Sequence, residues 1–125
     1  MVSCIELVDQ VTDFIYERAP YKDKEELRAR VQKHIEYKTG RILVDGNGMV
    51  VAVCLYNIMP GGQTVFVTEL SISKDYTKMD FMRQTLVEAM KIWPLKFIMA
   101  DRENKDGSNR GRRIWSTERF LRRKT

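Results

Sequence analysis

Apolar residues recur at helical spacing from the start of the chain. Cys4, Leu7, Val8, Val11, Phe14 and Ile15 fall on one stripe. Ser3 followed by Glu6 makes a Ser-x-x-Glu capping box at its head, so a helix is predicted there, stopped by Pro20. A second helix is expected to begin near Asp23, with Glu26 three residues on. Its stripe is thin (Leu27, Val31, Ile35) and its other positions are charged, which places it at the surface. Gly40 closes the helical region.

The period then changes. "RILVDGNGMVVAVCLYNIM" carries apolar, β-branched runs on both sides of Asp45-Gly46-Asn47-Gly48, the signature of a hairpin. "PGG" at 60–62 makes a second turn and leads into "QTVFVTELSIS". There Phe66, Thr68, Leu70 and Ile72 alternate with Val65, Val67, Glu69 and Ser71. Residues 41–73 therefore read as a three-stranded antiparallel meander. Thr77 and Asp80 make another capping-box pattern, ahead of a helix over 77–93. Its buried face is Met82, Leu86, Ala89, Met90 and Trp93, and Pro94 ends it. "LKFIMA" (95–100) is almost wholly apolar, as expected of a strand buried on both faces. The helix before it is then a crossover, which makes this strand the parallel neighbour of the third meander strand.

After a polar loop, "RGRRIWSTERFLRRKT" reads as a short helix or turn and a final strand through Phe120 and Leu121. The expected fold class is α+β in one domain. It has two N-terminal helices, a mixed sheet built from the meander 41–73 and the parallel strand 95–100, and a central crossover helix.

Charge adds an asymmetry to this picture. The chain has 125 residues and a net charge of +5. Residues 102–125 hold nine Lys/Arg against three Asp/Glu, a net +6, while residues 1–101 hold thirteen against fourteen, a net −1. A basic end of this kind suits nucleic acid or an acidic protein, and also a plain solvated terminus. No apolar run approaches the ~20 residues of a membrane span, so no membrane role is expected. Acids at the N-terminus argue against a secretory signal. Cys4 and Cys54 lie in apolar patterns and are read as reduced core residues of a cytoplasmic protein. One His, His34, and no CxxC argue against a zinc or haem site and against a nucleophile triad.

The element order resembles the GNAT (Gcn5-related N-acetyltransferase) superfamily from about residue 3 to residue 121. The resemblance implies an acidic general base on the strand before the central helix, where Glu69 falls in "VTELSI". It implies acetyl-CoA as cofactor; an acyltransferase built this way would meet the pantetheine arm with backbone groups from Ser73 to Tyr76, and Arg83 would offer its charge to the pyrophosphate in place of loop glycines. The family's Gln/Arg-x-x-Gly-x-Gly/Ala signature falls on Thr77, Asp80 and Met82, so its glycines are missing. Asp80 would bring a negative charge towards the pyrophosphate. A later family pattern, an Asn, an apolar helix and then Tyr-x-x-x-Gly-Phe, lies on "SNRGRRIWSTERF". It puts Trp115, Arg119 and Phe120 at the Tyr, Gly and Phe positions. An indole N–H is too weak an acid to replace that Tyr.

Three readings follow from these residues. The leading one is a non-catalytic GNAT-like interaction or structural module without cofactor, self-associating or bound to a protein partner. Small proteins of this type occur among bacteriophage genes, so a virion location is included. The alternative is an acetyl-CoA-dependent N-acyltransferase with Glu69 as base. The third is nucleic-acid or partner binding through Arg110, Arg112, Arg113, Arg119, Arg122 and Arg123, with Lys124 beside them and Trp115 available to stack.

Overall fold

The computed structural model describes residues 4–19, 23–103 and 109–122. In chain order the elements are α1 (Cys4–Tyr16), α2 (Lys24–Tyr37), β1 (Gly40–Val44), β2 (Val50–Ile58), β3 (Thr64–Ile72), α3 (Lys78–Met90), β4 (Phe97–Glu103), β5 (Asn109–Ser116) and α4 (Thr117–Arg122). The strands form one mixed sheet in the order β1-β2-β3-β4-β5. β1–β2 and β4–β5 are antiparallel, and β3–β4 is the parallel pair that the α3 crossover requires. The expected α+β architecture is the one observed.

The chain falls into two compact units, residues 1–55 with 69–76, and residues 56–68 with 77–125. In the first, Val8, Val11, Phe14 and Ile15 of α1 and Leu27 and Val31 of α2 pack with Val50, Val53 and Leu55 of β2. Fully burying a side chain of this size contributes about 1.5–3 kcal/mol, so this cluster is the main reason the two helices form. α2 starts where expected, because the Asp23 carboxylate accepts from the Glu25 and Glu26 N–H groups at 3.0 and 3.1 Å. Ser3 and Pro20, which the sequence reading gave as the start and stop of α1, lie outside the described residues.

Gly40 does not end α2. Lys38 takes the left-handed conformation instead (φ 56°), and the Thr39 N–H donates to the His34 carbonyl. Gly40 is the first residue of β1, and what it supplies there is closeness to β2. His34 is a packed residue, with its Nδ1 2.8 Å from Thr39 Oγ1. The hairpin turn is held by Asp45, whose carboxylate accepts from the Asn47 and Met49 N–H groups at 2.8 and 3.0 Å.

In the second unit, Phe81, Met82, Thr85, Leu86 and Ala89 form the buried stripe of α3. Met82, Leu86 and Ala89 match the expected face, but Met90 is exposed. It lies roughly 100° round the helix from the centre of the stripe. Trp93, beyond the helix end, meets Tyr56 edge to face at 6.2 Å. A small apolar void remains among Tyr56, Val65, Val67, Met82, Thr85, Leu86, Ala89 and Ile98. It is about the size of one water molecule and has no polar lining, so it is a packing gap and no substrate site.

The C-terminal region differs most from expectation. Residues 109–116 form strand β5, not a short helix or turn, and Phe120 and Leu121 lie in helix α4, not in a final strand. β5 pairs with β4 from Phe97↔Ser116 to Glu103↔Asn109, which also carries β4 three residues past the expected end at 100. The switch to helix is set by polar groups. Ser116 Oγ accepts the Arg119 N–H at 3.1 Å, and Thr117 Oγ1 donates to the Leu95 carbonyl at 3.1 Å. Phe120 is then buried from the helix.

β4 is buried on both faces at Ile98 and Met99, as expected, while Phe97 at its start is 41% exposed.

Candidate functional site

Glu69 lies on β3, half-buried, and its Oε1 accepts from Ser71 Oγ at 3.4 Å. Its charge reaches the next strands. The Cys54 thiol on β2 is pushed up to about 12 by complete burial and then by the negative charge of Glu69, with Arg41 acting the other way. Arg41 and Cys54 are direct partners across β1–β2. The thiol stays protonated at neutral pH and is sealed in the core, so it is no nucleophile. The carboxylate is the one reactive group of this row that can serve as a base.

β3 ends in the segment the sequence assigns to the pantetheine arm. The Ser73 N–H is already committed, donating to the Val51 carbonyl at 2.8 Å. The Tyr76 N–H donates to the Ser73 carbonyl at 3.1 Å, and the Tyr76 side chain is exposed. These two amides are therefore engaged within the fold, against the expectation that they meet a ligand.

The start of α3 departs from the expected capping box as well. Thr77 is the N-cap residue but its side chain makes no cap hydrogen bond. Asp80 instead points its carboxylate to Arg83, at 3.9 Å from Nη1. The Arg83 side chain is 23% exposed, and its Nε is buried with no hydrogen-bond partner among the described residues. A buried donor of a cationic group without an acceptor is costly. An anion at this point would relieve it.

The parallel register of β3 and β4 runs from Thr64↔Phe97 to Val67↔Ala100.

The basic end is ordered around β5 and α4. Arg112 Nε donates to Asp101 Oδ1 at 2.9 Å, and its guanidinium carbon lies 4.7 Å from the Phe66 ring centroid. Arg113 is exposed and lies over Trp115 at 5.1 Å. Trp115 is half-buried, edge to face with Phe120 at 6.3 Å, and its Nε1 has no partner among the described residues. Its role here is to anchor α4, not to present a free ring. Arg119 and Arg122 are exposed on α4, and Arg122 pairs with Glu118 at 3.3 Å. The side chain of Arg110, and all of Arg123 and Lys124, lie outside the described residues.

Sequence reasoning missed Arg41 and Cys54 as neighbours of Glu69, and Phe66 and Asp101 as partners of Arg112. All four depend on cross-strand register, which a pattern of alternation does not fix. Among the described residues no group of His, Cys, Asp and Glu is placed to hold a metal ion, and no helix is long and apolar enough to cross a membrane.

No family model matches the sequence, and no curated protein matches it. Solved structures do match the fold. Tetrahymena Gcn5 superposes with a TM-score of 0.64 at 10% identity, over 80% of this chain and 63% of that one. A variant of the spermidine N-acetyltransferase SpeG from Vibrio cholerae superposes at 0.64 with 12% identity, over 97% of this chain and 95% of that one. The GNAT-like decarboxylase GphF, in complex with isobutyryl-CoA, superposes at 0.60 with 13% identity, over 83% and 65%. The chain has the GNAT fold.

Proposed function

We propose that this protein is a coenzyme A-dependent acyltransferase acting on an amine, and we rank this above the non-catalytic module. The observation that carries the reading is the Arg83 side chain on α3, 23% exposed, whose buried Nε has no hydrogen-bond partner among the described residues. Arg83, with its buried unpartnered Nε, would take a pyrophosphate oxygen. Coenzyme A, when bound, supplies the acyl group as an activated thioester.

The chain's own residues contribute a base and an anion contact. Glu69 takes a proton from the incoming amine at a carboxylate oxygen, and Ser71 holds that carboxylate by donating to Oε1. Two of the solved structures with this fold are described as acetyltransferases of amines, one for spermidine and one for aminoglycosides, which supports an amine acceptor.

The experiment is calorimetric titration with acetyl-CoA, followed by thiol-release assays on a panel of polyamines. Binding in the micromolar range is expected, with Glu69→Gln lowering turnover about a hundredfold or more while leaving cofactor affinity intact. Failure to bind acetyl-CoA at millimolar concentration overturns the proposal. The second reading, an interaction module without cofactor, would then stand. It is favoured by Asp80 beside Arg83 and by the committed Ser73 N–H.

A further inference from the structure

Glu69 does not stand alone on its face of the sheet. Tyr56, Val65 and Val67 line the same void against α3, so they share one face. Side chains alternate along a strand. Cys54, two residues before Tyr56, and Glu69, two residues after Val67, therefore lie on that face as well. Arg41 is the direct partner of Cys54 across β1–β2 and joins them. Since β1, β2 and β3 are adjacent in the sheet, the three residues make one row, with Cys54 in the middle. Cys54 is fully buried, while Arg41 and Glu69 are half-buried and keep part of their surface in solvent. The opposite effects of the two charges on the thiol agree with this placement, Glu69 raising its pKa and Arg41 lowering it.

We propose that Arg41 sets the acceptor specificity: the amine that reaches Glu69 belongs to a free amino acid, and Arg41 holds its carboxylate. This rests on the acyltransferase reading and narrows its acceptor. Adjacent strands lie about 4.8 Å apart, so the Arg41 and Glu69 backbones stand roughly 10 Å apart, and two long side chains bracket a short one. The ligand that matches one cation and one anion so placed is a small zwitterion, its amine towards Glu69 and its carboxylate towards Arg41. A guanidinium takes a carboxylate through two parallel N–H···O bonds. Its five donors let it do so while keeping contacts within the fold.

Charge argues against a polyamine in the same place. A polyamine brings positive groups alone, and its second ammonium would be repelled by Arg41. Ser71, which donates to Glu69 Oε1, is neutral and leaves the balance of the row unchanged.

The test compares amino acids with their carboxamides, which keep the amine and the side chain but lose the anion. Binding is read by calorimetry with and without coenzyme A, and turnover by thiol release from acetyl-CoA. Carboxamides should bind about tenfold more weakly than the parent amino acids. Arg41→Gln should abolish that difference and leave the Kd for acetyl-CoA unchanged. Arg41→Lys, which keeps the charge without the fork, should restore part of it. A purely structural role for Arg41 would instead weaken acid and carboxamide alike. Equal affinity for acid and carboxamide in the parent chain overturns the inference, as does an undiminished preference in Arg41→Gln, or no amino-acid binding in the presence of coenzyme A. If acetyl-CoA still binds in those cases, the acyltransferase reading stands and the acceptor is another amine. Loss of acetyl-CoA binding removes that reading itself.

Discussion

Gly40 and Cys54 meet without room for a side chain. A Cβ at position 40 would lie 2.9 Å from the Cys54 carbonyl oxygen, and 3.0 Å from Leu55 Cδ2. The oxygen belongs to the backbone of a strand whose residues 50–56 are all buried, so it has little freedom to move. Gly40→Ala should cost about 1–3 kcal/mol. Gly46→Ala, where a Cβ meets nothing within 4 Å, should stay within about 0.5 kcal/mol of the parent. Urea midpoints of the two variants decide it, and equal midpoints would mean that β1 shifts freely.

Leu86 and Met90 separate the true face of α3 from the one that spacing suggests. Leu86 is 2% exposed and borders the void, whereas Met90 is 38% exposed. Leu86→Ala should destabilise by about 2–5 kcal/mol. Met90→Ala should change stability by less than about 0.5 kcal/mol. Thermal melts followed by circular dichroism give both values, and a large loss in Met90→Ala would contradict the burial.

Asp80 opposes the proposed cofactor through its charge. It sits in the first turn of α3 and draws on Arg83, the cation offered to the pyrophosphate. Asp80→Asn removes the repulsion and releases Arg83. Affinity for coenzyme A should rise about fivefold, the effect of a single charge at close range in water. The gain should shrink at high salt. Calorimetry at two ionic strengths checks it, and weaker binding in the variant would place the pyrophosphate elsewhere.

Cys54 makes stability fall at alkaline pH. Its thiol is raised from 9.0 to about 12, chiefly by burial. The folded state therefore holds this proton more tightly than the unfolded state. The contribution is full below pH 9.0 and is lost as pH rises from there towards 12. In a Cys4→Ser background, the stability gap between the Cys54 protein and its Cys54→Ala variant should be constant up to about pH 8 and narrow above 9.0. The narrowing should be at most about 1.4 kcal/mol per pH unit. A gap that does not change between about pH 8 and pH 10 would show that the folded thiol ionises normally.

Much of the architecture was legible because it rests on strong local signals. The alternation in "QTVFVTELSIS", the Asp45–Gly48 turn and the Leu86–Ala89 stripe each point to one element, and the crossover then implies the parallel pair. The C-terminal end was not legible. In "RGRRIWS" arginines occupy positions on both strand faces, so apolar alternation is lost, and pairing with β4 supplies what propensity does not.

The position of Glu69 on β3 was readable, but its neighbours were not. Arg41 and Cys54 come from two other strands, and their approach depends on register. Thr77 and Asp80 show the reverse case. The spacing of a capping box is present, yet Asp80 turns to Arg83 because a guanidinium is a better partner for a carboxylate than a neutral amide.

The outermost strand pairs share a feature that bears on how the protein behaves at high concentration. β1 and β5 end the sheet, and each pairing is interrupted by a register shift, between Leu43 and Val44 and between Arg102 and Glu103. β5 also presents exposed Arg112 and Arg113. An irregular, cationic border is a poor template for another strand, because incoming backbone groups fall out of step and like charges meet. The sheet is thus protected from growing edge to edge into fibrous aggregates, and the arginines that spoil the periodicity of β5 help keep the protein dispersed.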